Sequence, residues 1–246
     1  SLTLNSGGSA NTLGSLSSGA TTLNITGDQN MTITGNTTST TIDASAATGK
    51  ITVTTDNTKA VSITTGSGAD AVTMTGSQAL DDTISLNAGN DKVTFTANLA
   101  NSDTVDGGEG TDTVVAISAN LNGLTSLATT SNLTNFEVVQ ISDQSAHDLD
   151  VSNIQEDGIT TVTLAHSGAN LISAAREFTG EAGEFTVNLG KSAAGNTGAL
   201  GNGLTVNDGA DNVGTTDTAT INVTAINTTT GANLDMNNTL TSTGYE

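Results

Sequence analysis

The sequence predicts an all-β fold, a parallel β-roll or β-solenoid over residues 1–117 followed by a second, less regular β-rich region over 118–246. Two observations carry this. Short segments alternate apolar and polar residues for four to six positions and then close on Gly, Asn or Asp, the signature of a strand and its turn. A longer repeat of 21 residues runs through the middle of the series, and a fixed period of that length marks stacked coils. No helical period competes.

Residues 1–20 are Gly/Ser-rich and weakly patterned, an irregular first coil or a connector. From Thr21 the segments TTLNITGD, NMTITGN, TTIDAS, GKITVTTD, KAVSITTG and AVTMTG follow one another. Their central aliphatics Ile25, Ile33, Ile42, Val53 and Ile63 recur at steps of 8, 9, 11 and 10 residues. Alternation sends Leu23, Ile25, Ile33, Ile51, Val53, Val61, Ile63, Val72 and Met74 inward. It sends out Thr32 and Thr34, Thr52 and Thr54, Thr73 and Thr75, Thr94 and Thr96. Such ladders fit an ice-binding face, and equally the β propensity and cross-strand pairing of Thr on any solvated sheet. After Val115 the leucines Leu121, Leu124, Leu127 and Leu133 predict a short helical or irregular crossing before a strand at Glu137 to Ser142. Farther on, ITTVTLAHS, EFTVNLG, GLTVNDG and TATINVTAIN read as strands of a second solenoid or a sandwich-like region, and ANLISAAREFTG as a short helical insertion.

The chemistry lies between Thr65 and Val115. Gly107-Gly108-Glu109-Gly110-Thr111-Asp112-Thr113-Val114-Val115 fits the nonapeptide G-G-x-G-x-D-x-U-x of calcium-binding β-rolls at every fixed position. Degraded copies stand at Gly66-Ser67-Gly68-Ala69-Asp70-Ala71-Val72 and Asn87-Ala88-Gly89-Asn90-Asp91-Lys92-Val93. Two further Asp-x-aliphatic triplets begin at Asp82 and Asp103, so the aspartates at 70, 82, 91, 103 and 112 step by 12, 9, 12 and 9. A flattened coil with two strands per turn writes this pattern. It stacks Asp70, Asp91 and Asp112 in one column and Asp82 and Asp103 in another. Gly permits positive φ and lets loop carbonyls turn inward. Carboxylates from adjacent loops plus those carbonyls make the all-oxygen cage that Ca2+ prefers, with binding coupled to folding. The chain is therefore read as a calcium-stabilised roll. The plain alternative is that Gly and Asp mark ordinary turns. A fourth partial match, Asn207 to Val213 with Asp211, stands without a neighbour at coil spacing, and turn and calcium site are both open there.

The charge agrees with bound cations. Twenty-five acids against 5 bases leave a formal charge of -20, which argues against nucleic acid or an anionic membrane as partner. With 0 Cys a thiol nucleophile is excluded. His147 and His166 belong to no zinc pattern. No Gly-x-Ser-x-Gly elbow stands out, and 4 Phe with 1 Tyr make an aromatic sugar platform unlike this chain. No active site is visible, so the chain is read as non-enzymatic. It shows no signal peptide and no run of membrane-spanning length, and its abrupt ends fit a piece of a longer protein.

The run from Thr21 to Asp143, with TTLNITGD, the GSGAD and NAGND loops, VDGGEGTD and the following NFEVVQIS, resembles RTX-type bacterial surface-layer (S-layer) proteins of the Caulobacter-type lattice family. The resemblance covers about half the chain; the rest is similar in composition only. It implies type I secretion, folding outside the cell in calcium, and a two-dimensional lattice on the bacterial cell surface. The partners it implies are copies of the chain, calcium ions and lipopolysaccharide reached through another segment. It also implies side-chain ligands at Asp70, Asp91 and Asp112 and carbonyl ligands near Gly66, Gly68, Asn87, Gly89, Gly107, Gly108 and Gly110. The middle loop departs from the family by lacking the paired Gly, and TSTGYE carries no recognisable secretion signal. Two rival expectations are an RTX adhesin stalk, with the Thr ladders as an ice-binding face, and the calcium-binding tail of a secreted hydrolase.

Overall fold

The computed structural model describes residues 1–143 apart from 17, 57, 77–79 and 125–132, and beyond them residues 149–150, 159–164, 176–179, 185–189, 204–207, 219–223 and 240–243. The chain divides into two units, residues 1–115 with 129–137, and residues 116–128 with 138–246.

In the first unit successive strands go alternately to two parallel sheets. The seven-stranded sheet takes β1 (Leu2–Ser6), β3 (Thr22–Gly27), β5 (Thr41–Asp43), β7 (Ser62–Thr64), β9 (Thr83–Ser85), β11 (Thr104–Asp106) and β13 (Leu133–Thr134). The other takes β2 (Asn11–Leu13), β4 (Met31–Thr37), β6 (Ile51–Asp56), β8 (Ala71–Thr75), β10 (Lys92–Phe95) and β12 (Thr113–Ala116) in that order. This is a β-solenoid with two strands per turn. Register makes its core: Leu23, Ile42, Ile63, Ile84, Val105 and Leu133 stack across the first sheet. Val53, Val72, Val93 and Val114 stack across the second. All are buried, each contributing about 1.5–3 kcal/mol of apolar burial. Because the side-chain period is two, the same register aligns polar residues outside. Thr22, Thr41, Ser62, Thr83 and Thr104 form one such outer column.

Two loop edges join the sheets. Loops 44–50, 65–70, 86–91, 107–112 and 135–137 lead from the first sheet to the second, and loops 38–40, 57–61 and 96–103 lead back. The Gly-rich repeats all fall on the former edge.

In the second unit α1 (Ser118–Gly123) is the one α-helix among the described residues. It lies in the stretch where a short crossing is expected. Val138–Ile141 (β14), Thr161–Leu164 (β16), Phe185–Leu189 (β18) and Ala219–Val223 (β20) lie side by side and parallel. Leu149–Asp150 (β15), Arg176–Thr179 (β17), Leu204–Asn207 (β19) and Leu240–Thr243 (β21) form a four-stranded parallel sheet. Pairing is parallel throughout, as in a solenoid. The end of the expected helical insertion is corrected here: Arg176–Thr179 is a strand, because Phe178 stands in register with Leu149 and Val206. Long-range pairing outweighs the helix propensity of the Ala-rich residues before it. Among the described residues no helix is long and apolar enough to cross a membrane.

Candidate metal centre

Each Gly-rich loop ends in an aspartate whose side chain turns inward and back along the coil axis. The Ile51 amide donates to Asp70 Oδ1 at 2.6 Å, the Asp70 amide to Asp91 Oδ1 at 2.6 Å and the Asp91 amide to Asp112 Oδ1 at 2.7 Å. The column does not stop there. The Asp112 amide donates to Glu137 Oε2 at 2.7 Å, so Glu137 closes it as a fourth carboxylate.

These carboxylates are buried, and their second oxygens differ. Asp70 Oδ2 accepts from the Gly66 amide at 3.1 Å, whereas Asp91 Oδ2 and Asp112 Oδ2 are buried without any hydrogen-bond partner. Neighbouring turns sit about 4.8 Å apart, so the charges also repel. Burial, and then the Asp70 and Asp112 charges against the hydrogen bond from the Asp70 amide, push the Asp91 carboxyl up to about 7. Burial likewise raises Asp112 to about 6, with Glu137 and Asp106 adding to it, and raises Asp70 above its ordinary value.

Glycine serves the loops in two ways. Gly108 and Gly110 have φ of +93° and +147°, and Gly89 has +140°. Gly66, Gly68 and Gly107 keep negative or extended φ and are needed for close approach. A Cβ on Gly66 would strike the Ala47 carbonyl, and one on Gly107 the Asn135 carbonyl. Asn87, which replaces a repeat Gly, takes φ +63°, a conformation that Asn tolerates. Its amide donates to the Thr65 carbonyl at 2.5 Å. Adjacent loops are also stitched directly. The Gly66 carbonyl accepts from the Ala88 amide at 3.3 Å, and the Asn87 carbonyl accepts from the Glu109 amide at 2.6 Å. Two of the carbonyls expected to face a cation are thus engaged loop to loop. On the outer side, an open concavity of about 550 Å³ has Asn87, Asp106, Glu109 and Asn135 in its wall.

The second column behaves differently. Asp82 Oδ1 accepts from the Val61 amide at 2.8 Å, and Asp103 Oδ1 from the Asp82 amide at 3.0 Å. Asp103 Oδ2 accepts from the Ala100 amide at 2.9 Å. Both Asp103 oxygens therefore cap backbone amides, although burial still raises its carboxyl to about 6. Asp211 lies outside the described residues, as do His147 and His166.

Among the described residues no three carboxylate or imidazole groups converge as a metal cluster. A cation in the first column would draw on one or two carboxylates and complete its shell with loop carbonyls, an oxygen set suited to a hard ion. Sequence reading missed Glu137 as a site residue because an insertion separates it from the 21-residue rhythm. The available signal was Asn135, which at φ +56° repeats the left-handed loop conformation of Asn87. Comparison with protein-family models, curated proteins and solved structures finds no match to this chain.

Proposed function

We propose that this chain is a structural component of a calcium-dependent bacterial surface layer, a solenoid that calcium orders outside the cell and that then associates with copies of itself. One observation supports the calcium step above the rest. Two buried carboxylate oxygens, Asp91 Oδ2 and Asp112 Oδ2, have no partner inside loops of the calcium-binding repeat type. An unpaired buried carboxylate is costly, and a divalent cation supplies both the missing contact and the opposing charge. Asp70, Asp91, Asp112 and Glu137 are the side chains proposed to hold it, with carbonyls of the 66–70, 87–91 and 107–112 loops freed from each other as the ion enters. The Asp82 and Asp103 column stays a set of amide caps. Assembly rests on the sequence resemblance and on the formal charge of -20, which opposes association until cations reduce it.

A second reading, an adhesin stalk, draws on the outer hydroxyl column of Thr41, Ser62, Thr83 and Thr104. One titration separates the two. Calcium is added to chelated full-length protein while circular dichroism and particle size are followed together. Folding followed by growth into sheets, both reversed by chelator, is the expected outcome. A folded monomer would favour the stalk, and an unchanged spectrum and size would sink the calcium reading.

A further inference from the structure

The other loop edge holds a recess that the calcium reading does not use. It has a volume of about 150 Å³ and is lined by Thr37, Thr38, Ser39, Thr40, Thr58, Lys59 and Val61. Thr37 occupies an inward position in register with Leu16 before it and Thr55 after it. Thr55 settles its buried hydroxyl on Met74 Sδ at 3.3 Å. Thr37 Oγ1 is buried and has no partner. A hydroxyl in a core column is a cost that packing alone does not explain, since leaving it unsatisfied forfeits about 1–3 kcal/mol.

The rest of the lining says what would satisfy it. Thr38 and Ser39 donate their hydroxyl protons to the Ser18 and Ala20 carbonyls at 3.1 and 3.0 Å, and Thr40 leans on the Thr21 carbonyl at 3.5 Å. Their oxygens therefore offer lone pairs to the recess. Thr37, Thr58 and Lys59 offer hydrogens, and the Val61 side chain gives an apolar wall. Asp82, bonded to the Val61 amide, sets a carboxylate close by. An oxyanion would meet three hydroxyl lone pairs and that carboxylate. A ligand with hydroxyls, which both donate and accept, matches the lining throughout.

We infer that this recess binds a small neutral saccharide, one sugar ring contacting the Thr37 hydroxyl, the Thr38, Ser39 and Thr40 oxygens and the Val61 wall. The volume corresponds to about five waters, room for one ring and not for an oligosaccharide chain along its length. Lys59 stands at the exposed rim and donates to the ligand without needing to neutralise it.

The test is methyl-detected NMR of the calcium-loaded full-length protein, with the Thr37, Thr58 and Val61 methyl groups as reporters. The probes are methyl glycosides of glucose, mannose and rhamnose at millimolar concentration, with inorganic phosphate and sulfate alongside. Saturable shifts confined to these methyls are expected with at least one glycoside. Thr37→Val keeps the shape and removes the hydroxyl, and should weaken binding by about fivefold or more. Lys59→Gln, at an exposed site that cannot threaten the fold, should change it by no more than about twofold. Shifts from phosphate or sulfate alone, lost with Lys59→Gln, would overturn the saccharide reading in favour of an ion. An absence of shifts with every glycoside would overturn it in favour of ordered water.

Discussion

The early and late turns of the solenoid fill the same position in opposite ways. Where the first-sheet loop enters the second sheet, Met31 and Ile51 stand in register, and Ile51 lies one place before the Thr52–Ala71 pair, opposite Asp70. The position is thus apolar in the early turns, then Asp70, Asp91 and Asp112. On the other edge Val61 gives way to Asp82 and Asp103 in the same manner. The backbone manages without carboxylates: the Met31 amide finds the Lys50 carbonyl at 2.9 Å, while the Ile51 amide takes Asp70 instead. A buried carboxylate is therefore not required to close a turn. On the first edge it arrives together with the glycine loops, and there two of its oxygens lack partners. That coincidence separates a capping role from a binding role within one architecture.

The boundary between the two regions can be moved. Ile51→Asp places a fourth aspartate before Asp70, removes core volume and buries a charge. In chelator it should cost about 3–5 kcal/mol in urea unfolding, and calcium should recover part of that loss if the column binds the ion. Equal losses with and without calcium would break the comparison.

Glycines sharpen it next. Gly110→Ala forces a Cβ onto the Gly89 carbonyl at φ +147° and should lower stability by more than about 2 kcal/mol. Gly8→Ala, at φ +79° with open space around it, should cost about 1 kcal/mol. Thermal melts of the pair measure the difference.

Charge gives a change of sign. Asp91 is raised to about 7 and Asp112 to about 6 from an ordinary 3.8. The folded chain therefore holds these protons more tightly than the unfolded one, so their contribution is fully present below pH 3.8 and lost as pH rises through about 6 to 7. Chelated protein should melt at progressively lower temperature across that window, and calcium, which needs the ionised form, should flatten or reverse the trend. Asp91→Asn keeps an oxygen for the Asp70 amide and removes the charge. It should raise Tm in chelator at neutral pH, lower it in calcium, and weaken the calcium response by about tenfold or more.

The smallest effect is expected at the capping column. Asp103→Asn presents one oxygen to two amides and should cost about 1 kcal/mol with or without calcium. A calcium-dependent difference there would move Asp82 and Asp103 back among the ligands.

Much of this was legible beforehand because the relevant patterns are local and periodic. Alternation identified Ile25, Val53 and Met74 as core, and the 21-residue step identified which aspartates stack. Other features arise only when turns meet. Gly107 is glycine because of the Asn135 carbonyl, and Glu137 continues the column across an insertion of no fixed length. Arg176–Thr179 is a strand because of Leu149 and Val206. The sequence by itself determined the coil, its period and its inward residues, since these follow from the pleat and from stacking in register. Only the tertiary structure decided which carboxylate oxygens cap amides and which are left without partners. That depends on where each amide of the neighbouring turn points, and no single turn of sequence encodes it.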